Sequence, residues 1–165
     1  MRIKGKAWKF GDNISTDLIA PGRYFHLRSN LPEFTKHVLE DADPEFAKNV
    51  QPGDIVVGGV NFGTGSSREH APTIIKMAGT GVVLAKSFAR IFFRNAINIG
   101  LPLVICDTSD IEAKDELEVD LANGVVYNLT KNKTINAKPL PDFMVSVLSD
   151  GGLIPHVKKN DGFAL

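Results

Sequence analysis

A single cysteine, Cys106, occurs in 165 residues, which excludes an internal disulfide and makes a reducing cytosolic setting acceptable. One thiol cannot hold an iron-sulfur cluster, which needs several thiolates. An excess of charge of one sign is also missing, because 19 basic and 19 acidic side chains cancel to a formal net charge of zero. With no basic stripe or charge block, nucleic acid and anionic membrane are poor partners. No apolar run approaches the ~20 residues that span a bilayer. The N-terminus, MRIKGKAWKFGDN, turns polar before a signal-type apolar segment can form. A soluble, cytoplasmic protein is therefore expected. Internal repeats, low-complexity tracts and linkers are absent as well, so one domain over 1–165 is expected, with 43% hydrophobic residues to fill its core.

What the chain does contain is concentrated in residues 55 to 70, IVVGGVNFGTGSSREH. The β-branched run from Ile55 to Val60 reads as a strand. Gly63 and Gly65 permit a tight backbone that a ligand can approach, and Ser66, Ser67 and Arg68 fall at the expected start of a helix. A helix N-terminus presents unpaired N–H groups and roughly half a positive elementary charge, so a carboxylate or phosphate fits there. The two hydroxyls add directional contacts, and the guanidinium can grip a carboxylate with two parallel bonds. Competing motifs fail. Gly65 is followed by Ser-Ser-Arg, where a P-loop needs Lys and then Ser or Thr, so a nucleoside triphosphate is not expected. Neither serine has the G-x-S-x-G setting of a hydrolase nucleophile. The structural alternative is that Ser66 or Ser67 caps a helix beginning near Glu69.

Around this segment the pattern predicts a first strand over 2–10 and a long polar turn ending at Pro21-Gly22. Helical spacing of Leu31, Phe34, Val38 and Leu39 predicts a helix over 31–41, with a second short helical piece over 44–50. Strand 55–60, helix 69–78, strand 82–85, helix 88–99 and strand 102–106 form a β-α-β-α-β run. Such a run implies parallel strands with ligands gathered at their carboxyl ends. After Cys106, LEVDL and VVYNL flank an Asn123-Gly124 hairpin turn, TINAKPL reads as a further strand, and two short helices close the chain. The fold class is α/β with an added β layer.

Three segments, GDNISTDLIAPGRY, VNFGTGSSREHAP and AKSFARIFFRNAINIGLPLV, together resemble the small subunits of the aconitase superfamily, among them the 3-isopropylmalate dehydratase and homoaconitase small subunits. The resemblance covers residues 1–106 and implies a swivelling β/β/α domain of the aconitase C-terminal type. It implies a hydro-lyase that dehydrates a 2-hydroxy acid and rehydrates the alkene, with isopropylmalate the first expectation and homocitrate or another malate next. It also implies a large-subunit partner carrying a [4Fe-4S] cluster, with no cofactor or metal bound by this chain. By motif, Ser66 takes the role of catalytic base, while Ser67 and Arg68 hold substrate carboxylate oxygens. Arg28 stands four residues beyond Tyr24, as an arginine does in the matching aconitase loop, which implies a carboxylate clamp; Arg23 competes for that role, and a solvated surface arginine is the alternative.

Asp17 matches a family acid that could orient an arginine or histidine, against the simpler reading of a turn cap. Lys86, Ser87 and Arg90 are expected to brace the fold and the subunit contact. His70 has no matched acid, so a triad is not expected; His26, His37 and His156 lack metal spacing. Cys106 is expected to be a small buried hydrophobe. A noncatalytic carboxylate-binding module and a self-contained serine hydrolase are the rivals from other classes.

Overall fold

The computed structural model describes residues 1–66 and 68–160. Its framework is one seven-stranded sheet in the order β4-β3-β2-β1-β5-β6-β7. Strand β1 (Arg2–Lys9) is shared by two halves. Its residues Ala7 to Lys9 pair in parallel with β2 (Ile55–Val57), whereas Arg2 to Lys6 pair antiparallel with β5 (Glu116–Asp120). The parallel half continues through β3 (Val82–Ala85) and β4 (Leu103–Ile105), and the antiparallel half through β6 (Val125–Asn128) and β7 (Lys133–Asn136).

Each residue of β2 and β3 is buried, as expected for parallel strands covered on both faces. One face, including Val56, Val83 and Leu103, packs on the helices α1 (Thr16–Ile19), α2 (Leu31–Thr35), α3 (Phe46–Asn49), α4 (His70–Met77) and α5 (Arg90–Asn98). The opposite face, including Ile55, Val57 and Leu84, packs on Leu117, Val119 and Val126 of the antiparallel half. This is the added β layer, made by the sheet curling on itself. The curl is closed where Cys106 bridges Ala137 and the Lys138 N–H donates to the Ile105 carbonyl at 3.0 Å. Cys106 is buried there, and desolvation, with Asp107 nearby, pushes its thiol up to about 11. Helices α6 (Asp142–Ser149) and α7 (Leu153–Asn160) close the described chain. Among the described residues no helix is long and apolar enough to cross a membrane.

Several expected elements are shorter than their patterns, among them the helix over 31–41 and the strand over 55–60. The helix over 31–41 ends at Thr35, and the chain then tightens into turns until Leu39, which adopts φ 55°. The Leu39 N–H leaves the helical ladder to donate to the Ile19 carbonyl at 3.0 Å, and its side chain is fully buried. Burial of Val38 and Leu39 overrides local helix propensity. The strand over 55–60 stops at Val57, because the chain leaves the sheet at Gly58 and Gly59 to form the loop that carries the site.

Asp54 fastens the entry to β2. It is 7% exposed and accepts bonds from the Trp8 indole N–H (3.0 Å), the Gln51 N–H (2.9 Å) and the Lys6 N–H (3.3 Å). Asp54→Ala strands these donors in a largely dry place and should lower the unfolding free energy by about 2–3 kcal/mol, read from chemical denaturation. Unchanged stability would show that solvent replaces the carboxylate.

Candidate functional site

The loop between β2 and α4 is held by a seam of backbone bonds to residues 10–16. Phe10 N–H donates to Val57, Gly59 to Gly11, Asn13 to Val60, Gly63 to Ile14 and Thr16 to Thr64, all at 2.7–3.1 Å. Gly63 has φ +83° and lies so close to Phe92 that a Cβ would fall 2.2 Å from the ring. Its freedom therefore serves packing against α5, and Gly63 also lines the cleft that holds Ser66 and Arg68. Gly65, at φ +109°, is exposed, and a Cβ there would crowd the Thr16 hydroxyl at 3.2 Å.

Ser66 is exposed. Its Oγ lies 3.3 Å from Thr16 Oγ1, and its carbonyl accepts from that hydroxyl at 3.1 Å and from the Arg68 N–H at 2.9 Å. Arg68 is held from two sides. Its guanidinium meets Asp17 Oδ1 at 2.9 Å, donates to the Ala20 carbonyl at 3.1 Å, and lies over the Phe25 ring at 5.3 Å. Guanidinium carries five N–H donors, so donors remain for a bidentate ligand. Ser67 lies outside the described residues.

Helix α4 begins at His70, with Glu69 at its N-cap and no side-chain cap bond. Ser66 therefore precedes the helix by more than the sequence pattern implies and does not cap it. Ser66 instead sits between two cleft regions. One, of about 400 Å³, is lined by Phe25, Ser66, Arg68, Glu69 and His70. A second, of about 240 Å³, joins Ser66 and Arg68 to Thr16 and to the start of α5 at Ala89, Arg90 and Ile91. The N-cap of α5, Ala89, offers no side-chain bond, so the positive end of this helix opens beside Ser66. Sequence reading placed the helix but not its approach to the site, since the approach depends on Gly63 admitting Phe92.

Arg28 is exposed, stacks over Phe25 at 4.6 Å and donates to the Phe25 carbonyl at 3.2 Å. Phe25 thus carries both Arg28 and Arg68. Arg23 is engaged elsewhere: it grips both oxygens of Asp41 at 2.8 Å and Glu40 at 2.7 Å, and lies over Tyr24, which stacks on His37 at 3.6 Å. This bonding engages Arg23 away from Ser66 and Arg68 and pins the turn Gly22–Leu27 to the body of the protein. His70 faces Phe25 and Phe34, and no carboxylate bonds to it among the described residues. Ser87 Oγ accepts from the Asn61 N–H at 2.8 Å and its carbonyl from the Phe62 N–H at 3.0 Å, so it braces the loop. His156 is buried against Asp150 at 2.7 Å. Among the described residues no three His, Cys, Asp or Glu side chains converge as a metal site. Sequence reading missed Thr16 and Phe25, although the S-T-D and R-Y-F triplets contained them.

A family model for the aconitase C-terminal domain matches residues 13–108. The chain is 61% identical to a 3-isopropylmalate dehydratase small subunit of Archaeoglobus fulgidus, covering 97% of each chain. It is 59% identical to one of Thermotoga maritima, covering 98% of each. The solved structure of a 3-isopropylmalate dehydratase from Methanocaldococcus jannaschii superposes with a TM-score of 0.92 at 45% identity, covering 98% of this chain and 96% of that one. The chain belongs to the aconitase C-terminal domain family, and within it to the 3-isopropylmalate dehydratase small subunits. The likeness extends beyond residue 106 to the hairpins and closing helices, where sequence reading found only a compatible length.

The Arg23 lock gives the turn a pH dependence. The hydrogen bond from Arg23 holds the Asp41 carboxyl below its ordinary range. A lowered folded pKa means that the lock contributes fully above the ordinary carboxylate value and fades as pH falls through the lowered one. Both groups are half exposed, so the effect is local and salt-sensitive. Amide exchange at residues 22–28, corrected for intrinsic rates, should accelerate below about pH 4; protection that stays constant down to pH 2 would show that Tyr24 stacking alone holds the turn.

Proposed function

We propose that this chain contributes the proton-abstracting and carboxylate-holding half of a shared dehydratase site, as the small subunit of a 3-isopropylmalate dehydratase in leucine biosynthesis. The observation that carries it is the placement of Ser66 and Arg68 on one open cleft, with Arg68 already oriented by Asp17 and Ala20. The substrate is a 2-hydroxy dicarboxylate. Arg68, with Ser67, holds a carboxylate; Ser66 removes a proton from the carbon beside it and returns one in rehydration. A serine hydroxyl is a weak base, so its alkoxide needs help. The Arg68 cation and the start of α5 supply positive charge at the same cleft. The partner large subunit is expected to carry a [4Fe-4S] cluster, which supplies a Lewis acid for the departing hydroxyl.

The open cleft supports a partner. Phe25 is 39% and Ile91 50% exposed beside Ser66. Larger grooves, of about 630 Å³ beside α5 and α6 and about 670 Å³ beside Trp8 and Asp54, contain neither Ser66 nor Arg68. A site that must exclude water but lies open on this chain needs a second surface to close it. A self-contained hydrolase gains no support, since His70 has no orienting acid among the described residues. A noncatalytic module is disfavoured by the retained Ser66 and the prepared Arg68.

In the assembled complex, Ser66→Ala should lower kcat by about 10²- to 10⁴-fold while substrate still binds. Near wild-type kcat would remove Ser66 from the role. A homoaconitase-type substrate is the second reading, favoured by Arg28 sharing the Phe25 ring with Arg68. If Arg28 clamps a further carboxylate, Arg28→Val should depress turnover of homocitrate-type tricarboxylates and spare or improve isopropylmalate. Equal effects on both substrates would show that Arg28 does not sort them.

A further inference from the structure

We propose that Thr16 is a positioning residue for Ser66, its hydroxyl orienting the neutral serine and then stabilising the alkoxide. The inference deepens the reading of Ser66 as the base and rests on it. Thr16 is the first residue of α1 and is 2% exposed. Its N–H donates to the Thr64 carbonyl and its own carbonyl accepts from the Ala20 N–H, both at 2.8 Å. The branched side chain has few rotamers and is buried, so the hydroxyl oxygen occupies a defined place. That place is 3.1 Å from the Ser66 carbonyl and 3.3 Å from Ser66 Oγ. Gly65 keeps it clear, since a Cβ there would approach the same oxygen at 3.2 Å.

A hydroxyl has one proton to donate and lone pairs to accept. While Ser66 is neutral, Thr16 donates to the Ser66 carbonyl and accepts a hydrogen bond from the Ser66 hydroxyl, which leaves the serine lone pairs directed away from Thr16. When Ser66 is deprotonated, its oxygen becomes purely an acceptor, and the Thr16 proton rotates from the carbonyl to the alkoxide. The carbonyl is not stranded by that rotation, because the Arg68 N–H continues to donate to it at 2.9 Å. A donor to the charged form lowers its pKa. Thr16 therefore acts on the serine and not on the substrate, and its effect falls on kcat.

The test is steady-state kinetics of the assembled complex with isopropylmalate, for Thr16→Val, Thr16→Ser, Ser66→Ala and the double variant Thr16→Val/Ser66→Ala. Thr16→Val should lower kcat by roughly 10- to 100-fold, the scale of a bond to a charged group, with KM close to wild type. The limb of the pH profile that reports loss of the base's proton should move to higher pH. Thr16→Ser should restore both, and the double variant should be no slower than Ser66→Ala. If Val is not accommodated and the complex fails to assemble, Thr16→Ala carries the same expectation. Wild-type kcat and pH profile without the hydroxyl, a loss confined to KM, or a loss that Ser does not restore would overturn the proposal. With Ser66→Ala inactive, such a result leaves the base assignment standing; an active Ser66→Ala instead removes the base assignment and Thr16's role with it.

Discussion

The site depends on one constraint, the parallel seam between residues 10–16 and 57–64, which continues the pairing of β1 and β2 beyond the edge of the sheet. Bonds from Phe10 to Val57, Gly59 to Gly11, Asn13 to Val60, Gly63 to Ile14 and Thr16 to Thr64 carry the sheet's register out to Ser66. Each bond is individually modest in net contribution. Their effect is geometric: two loops become one layer, so Thr16, Asp17 and Ala20 from the first loop can hold Ser66 and Arg68 of the second. A loop without this seam would present the same side chains with no fixed separation, and a base must be placed closely to act.

The second organising feature is β1, which serves two halves of opposite strand sense. Its division at Lys6 and Ala7 lets the antiparallel hairpins curl under the parallel half and cover Ile55, Val57 and Leu84. The helical side is then left to carry the loops at the carboxyl ends of β1 and β2. Ser66 and Arg68 lie at this end, where ligands gather in parallel sheets.

Much of this architecture was legible because its signals are local. Apolar runs such as Ile55–Val57 and Val82–Ala85 marked the parallel strands, Asn123-Gly124 marked the hairpin, and Gly63 to Arg68 marked the loop that lines the candidate cleft. Other features depend on distant partners. Leu39 leaves a helical pattern to meet Ile19, a contact between loops that no periodicity encodes. The curl of the sheet depends on Cys106 meeting Ala137. The start of α5 reaches the Ser66 cleft because Gly63 admits Phe92, a packing contact that the glycine pattern does not encode. Arg23 and Arg28 could not be separated by spacing, and only the carboxylates of Glu40 and Asp41 decide that Arg23 is occupied.

On the proposed function, this chain holds half of a site. It brings Ser66, the proposed base, and an oriented guanidinium to an open surface, and its one thiol is buried in the closure of the sheet. The most direct measurement is dehydration of isopropylmalate by the purified chain, alone and after addition of a cluster-loaded large subunit, with iron content determined for each preparation. The expected result is an iron-free chain with no turnover by itself and turnover on addition of the large subunit. Turnover by the iron-free chain alone would contradict it.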